Sequence, residues 1–306
     1  MFRDPVLQRL ADGERMAEMQ QLSLSRLAAR ADDVQAVLGL GLAVLAGTDA
    51  QAQEKAISHA QACVKAQSQA AECRHALGTV MAAHAVAQGK MKVASSAGDV
   101  KEALSEAFRL APQWFPARRA LVEFYLLAPG LLGGSNSRAA ELARTAPNPV
   151  QVRALEGRVA LDEERFDQAA TALTEVPAGT DPAVAADMRQ WAAMVGFRWL
   201  AKEQVAKAQG LFSRLVKDQP EAALPLYGLA RVLALQDRPA EAAKLLEQAR
   251  HLRGAEPLPL DYYLGQALEA HGQADPAKAA YTRFVKRGQG QPRQLDDERK
   301  RLVALG

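Results

Sequence analysis

Rings are scarce in this 306-residue chain: Phe, Trp and Tyr together make up 5% of it, although 49% of the residues are hydrophobic. Most of the apolar content is therefore Ala and Leu rather than β-branched or ring side chains, which favours helices packed closely through small residues. Neither sign of charge predominates. The 38 basic and 35 acidic residues are interspersed, for a net charge of +3, a mixed surface that argues against a nucleic-acid footprint. No apolar run approaches the roughly 18 residues needed to cross a bilayer; the most apolar stretch, Val34 to Ala46, is short and interrupted by glycine. The start, Met1-Phe2-Arg3-Asp4-Pro5, has no basic segment followed by an apolar one, so no signal peptide is visible. The expectations are an exported, periplasmic protein whose leader has been removed or, as the alternative, a cytoplasmic one. Cysteine is almost absent, with Cys63 and Cys73 alone. No Pro/Gly/Ser linker long enough to separate domains occurs, so residues 1–306 read as one continuous array.

The strongest signal is self-similarity. Segments 189–222 and 223–256 begin 34 residues apart and carry apolar residues at matching offsets: Gly196, Trp199, Ala208, Phe212 and Leu215 in the first, Ala230, Leu233, Ala242, Leu246 and Ala249 in the second. A third copy follows from Leu258, with Leu264-Gly265, Leu268, Gly272, Ala277, Tyr281 and Phe284, and another precedes them, with Leu155, Gly157, Phe166, Ala169 and Leu173. Each unit reads as a helical hairpin in which a small residue of the first helix (Gly196, Ala230) lets a small residue of the second (Ala208, Ala242) approach. Upstream the pattern persists with insertions, including a loose segment from Gln88 to Gly98 and the stretch Ala128-Pro129-Gly130-Leu131-Leu132-Gly133-Gly134-Ser135.

On these residues the sequence resembles the tetratricopeptide repeat family, clearly over 150–291 and more loosely over 1–149; residues 292–306 read as a cap helix striped by Leu295, Arg299 and Leu302. The Ala-Pro-Gly-x-x-Gly-Gly insertion resembles a group of bacterial repeat proteins of no known activity. The implied fold is all-α: a right-handed superhelical solenoid of about seven antiparallel helical hairpins, with an added helix from Asp4 to Ala31. The implied role is a protein–protein interaction scaffold that takes a partner polypeptide in its concave groove and catalyses nothing. In that family, the residue just after the small one and the residue four earlier point into the groove. Here they are Arg119, Glu123, Arg158, Phe197, Tyr227, Arg231, Tyr262 and Gln266. Aromatics with Arg are the types that dominate binding hot spots. The Lys, Asn and Arg clamp by which some family members grip a C-terminal carboxylate lacks its Asn pair here.

Other candidates stand beside their plainer readings. Cys63 and Cys73 flank a short turn between helix ends, a spacing that permits a disulfide staple; the alternative is a pair of small buried thiols. His59 and His75 lie near them, so a soft metal such as copper or zinc held by all four is a further alternative, although the spacing matches no metal signature. No cofactor or metal is expected. His84, His251 and His271 read as structural. The loop Gly130 to Ser137 runs into a helix, where N–H groups could hold an anion or small ligand; without a following Lys-Ser/Thr it reads as a shaped loop capped by Ser135 or Asn136.

Overall fold

A computed structural model describes residues 1–45, 47, 49–288 and 292–305. Gln289 to Gln291, the end of the expected last repeat, and Gly306, the end of the expected cap, lie outside the described residues. The fold is all-α and of the helical-repeat solenoid type, and no β-strand occurs among the described residues. The chain divides into two compact units, Met1–Met188 and Arg189–Gly306.

Unit 1 contains α1 (Pro5–Asp12), α2 (Met16–Ala29), α3 (Val34–Leu45), α4 (Ala50–Ala66), α5 (Ala71–Gln88), α6 (Lys90–Leu110), α7 (Phe115–Leu127), α8 (Asn136–Arg144), α9 (Pro149–Asp162) and α10 (Phe166–Thr174). The division falls within α11 (Pro182–Ala201). Unit 2 continues with α12 (Val205–Asp218), α13 (Ala223–Leu235), α14 (Pro239–Ala249), α15 (Leu260–Ala270), α16 (Ala274–Arg287) and α17 (Pro292–Ala304). Consecutive helices pair as hairpins. Side-chain oxygens of Asp4, Asp49, Ser135 and Asn148 accept from first-turn N–H groups and start α1, α4, α8 and α9.

One turn recurs. Glu14, Glu164, Glu203, Asp237 and Gly272 all have positive φ, between 55° and 77°. The residue after each donates its N–H to the carbonyl five back: Arg15 to Leu10, Arg165 to Ala160, Gln204 to Trp199, Arg238 to Leu233 and Gln273 to Leu268, at 2.8–3.0 Å. These bonds close the helix end and reverse the chain in the same way each time. Glu14 belongs to the set, so Asp4 to Ala31 forms a full hairpin, α1 with α2, rather than one added helix.

Packing revises the expected role of the small residues. A Cβ on Gly157 would lie 2.7 Å from Leu173, on Gly196 2.5 Å from Phe212, and on Gly265 2.3 Å from Tyr281. The spacing is the same in each pair: the glycine of a first helix makes room for the large residue of the second, not for its alanine. Phe212 is wedged doubly, since a Cβ on Gly228 of the following hairpin would come within 2.1 Å of its ring. Phe212 and Tyr281 are fully buried.

The segment Gln88 to Gly98 is not loose. Gly89, at φ 97°, reverses the chain, and α6 begins at Lys90. Residues 90–98 are mostly Lys, Met, Ala and Ser with no proline, and a lone Gly98 costs a helix only about 1 kcal/mol.

Candidate functional site

In unit 2, the face built by the first helices of successive hairpins carries a continuous row of rings. Phe197 on α11 lies 5.0 Å from Phe212 and 5.5 Å from Tyr227 on α13; Tyr227 lies 5.5 Å from Tyr263 on α15, and Tyr263 4.9 Å from Tyr262. Phe197 and Tyr263 are half-exposed, whereas Tyr227 and Tyr262 are buried. Arg231 lies across this row. Its guanidinium carbon sits 3.9 Å from the Tyr263 ring centroid, its Nη1 donates to Tyr227 Oη at 3.2 Å, and it pairs with no carboxylate among the described residues. Burial raises the Tyr227 phenol well above its ordinary range, against the opposing pull of Arg231, so the hydroxyl stays neutral and can accept that bond.

The far end of the row is occupied by the chain itself. Tyr262 Oη donates to Asp297 Oδ2 at 2.9 Å, and Arg301 bridges Asp297 and Glu269, both at 2.8 Å. Gln266 also bonds Asp297 and thereby lowers the pKa of that carboxyl, behind the larger effect of Arg301. Tyr262 and Gln266 therefore hold α17 instead of facing solvent. Glu298 on α17 is fully buried and neither carboxylate oxygen has a hydrogen-bond partner among the described residues. Burial first, then Asp261 and Asp297, pushes its pKa up to about 8. The stabilisation from this neutral carboxyl is complete below its ordinary value of 4.5 and is lost as pH rises through about 8. Amide exchange in α17 is expected to accelerate between pH 6 and 9 beyond the intrinsic rise, and Glu298→Gln to remove the excess; an unchanged excess in that variant would refute this.

In unit 1, the expected groove charges are spent internally. Arg158 is buried and donates from Nε and Nη2 to the two Glu123 oxygens, both at 2.9 Å, with Asp162 at 3.6 Å. It is a bridge between α7 and α9, not a residue presented to a partner. Arg119 pairs with Asp187 at 2.8 Å, a partner the spacing rule does not reach. Burial, reinforced by Glu123 and opposed by Arg119, pushes Asp187 up to about 6. His75 is buried edge-on against Trp114, ring centroids 5.0 Å apart, and burial with Arg119 lowers it to about 3.

Cys63 and Cys73 are bonded to each other, Cα atoms 5.7 Å apart, and both are fully buried. The bridge ties the end of α4 to the start of α5 and takes both sulfurs from the four-residue metal alternative. In the Gly130 to Ser137 loop, the N–H groups of Leu132 and Gly134 donate to Pro129 O, that of Gly133 to Gly130 O and that of Ser135 to Tyr125 O. Four of the loop's N–H groups are thus used within the loop and the end of α7. Ser135, not Asn136, caps α8, so the shaped-loop reading is the one the geometry carries.

Of the eight expected groove residues, the structure brings Phe197, Tyr227 and Arg231 together in one cluster, with Phe197 and Arg231 half-buried and Tyr227 buried. Tyr263 completes it and escapes the spacing rule, because the rule selects its neighbour Tyr262. A helix turning 100° per residue divides two adjacent rings between the outer face and the α17 side.

No family model matches the chain, and no curated protein matches it in sequence. Solved structures do. Yeast Tom70 superposes with a TM-score of 0.65 at 12% identity over 96% of this chain and 59% of its own. A human IFIT1 dimer with m7Gppp-AAAA gives a TM-score of 0.56 at 14% identity over 89% of this chain and 63% of its own. The chain thus spans about three fifths of the length of these two structures, and the shared feature is the tetratricopeptide-like fold.

Proposed function

We propose that the protein is a non-catalytic interaction scaffold whose unit 2 ring row receives a segment of a partner polypeptide. The observation that carries this reading is Arg231: a half-buried guanidinium stacked on one tyrosine, steered by another, and lacking a carboxylate of its own. A charge held away from water is worth most when a partner supplies the opposite one. Phe197 and Tyr263 beside it offer rigid apolar area at low entropic cost. The segment that fits is an acidic residue flanked by apolar ones. The Cys63–Cys73 bridge supports an oxidising compartment, with the periplasm as the proposed location.

Peptides selected from a random library on the wild-type protein are expected to share an Asp or Glu next to an apolar or aromatic residue. Arg231→Glu is expected to weaken the best of them by at least tenfold, with Arg231→Lys in between, because an ammonium loses the planar stack. A library without acidic enrichment, or full affinity in Arg231→Glu, would sink the proposal.

A further inference from the structure

A second cleft in unit 2, independent of the ring row, lies between the loop that enters α15 and the last turns of α16. It encloses about 450 Å³, with Leu260 and Ala255 on one wall and Arg250, Arg283, Lys286 and Arg287 on the others, a volume in the range of small-molecule sites. Asp261 is buried within it and orients two of the four cations: its Oδ1 accepts from Arg283 Nε at 3.0 Å and lies 2.9 Å from Arg283 Nη2 and 3.2 Å from Arg250 Nε. Glu247 takes Arg250 Nη1 at 2.7 Å. That leaves one terminal nitrogen on each guanidinium outside these bonds. Lys286 and Arg287, both exposed, pair with no carboxylate among the described residues.

Four cations thus face two acids. The C-termini of α14 and α16 draw on the surplus, each with roughly half a negative charge, and a positive balance remains. Asp261 holds both guanidiniums in place, and each keeps one terminal nitrogen with which to donate to an oxyanion. The apolar wall suits a short carbon skeleton beside the anion. We infer that this cleft binds a small organic phosphate, with Arg250 and Arg283 as the prepositioned donors and Lys286 and Arg287 as the charges that balance the second negative charge.

Calorimetric titration of the whole protein with sodium pyrophosphate at low salt, against sodium chloride matched in ionic strength, tests this. Saturable one-to-one binding is expected, weakened at least tenfold by the surface pair Lys286→Gln with Arg287→Gln and unchanged by Arg231→Glu. Heats that do not saturate, or that survive the double substitution, would overturn the site. A phosphoserine peptide that binds more tightly than glycerol phosphate would overturn the assignment to a small molecule.

Discussion

Phe212→Ala is expected to cost unit 2 about 3–5 kcal/mol, toward the upper end of that range. The ring is fully buried, and its neighbours on two sides are the glycines Gly196 and Gly228. Neither has a side chain that can relax into the space, so most of the cavity persists, and cavity volume is what separates costly from mild truncations. The converse substitution, Gly228→Ala, places a Cβ within 2.1–2.4 Å of three ring atoms and is itself expected to be strongly destabilising. In the Phe212→Ala background the same methyl has room. A double-mutant cycle by urea denaturation is therefore expected to show a coupling of 1 kcal/mol or more in favour of the pair. Simple additivity would mean the ring does not fill that gap. Because Phe212 also backs Phe197, the truncation should slacken the ring row that carries Arg231.

Removing the Cys63–Cys73 bridge by a double alanine substitution is expected to lower the stability of unit 1 by about 3 kcal/mol. The cysteines are 10 residues apart, and closing a loop of that size removes about 9 cal/mol/K from the unfolded ensemble, or about 2.7 kcal/mol at room temperature. The loss should be local at first. In a repeat stack most contacts run between neighbouring hairpins, so a weakened junction lets the shorter side open first. Exchange protection is expected to fall in α1 to α4 before α7 to α10. Equal loss throughout unit 1 would show that the hairpins unfold as one body. With both sulfurs fully buried, reductant should act on the native protein only through that opening.

The hairpins were legible in the sequence because their periodicity comes from backbone geometry. Gly157, Gly196 and Gly265 recur where a second-helix side chain must pass, and only a small residue fits there, Ala230 holding the same position in the remaining regular repeat. What those glycines admit was less legible, since spacing marks a small residue without naming its opposite number. The helical start of α6 was hidden because Gly89 and Gly98 look alike in sequence, and only the first has a backbone conformation that needs glycine. The site was half visible. Phe197, Tyr227 and Arg231 follow from the first-helix rule, but Arg158 satisfies the same rule and is consumed by Glu123, and Tyr262 satisfies it and is taken by Asp297 from α17. Which charges remain unspent depends on residues 35 positions away in both cases, and single-sequence periodicity does not carry that information.

Glu14, Glu164, Glu203, Asp237 and Gly272 give five hairpins the same left-handed turn between their two helices. A hairpin copied in the gene would carry this turn with it, so its two helices would close on each other without any new reversal to invent. Length is thus the property that tandem duplication can change most readily in such a chain.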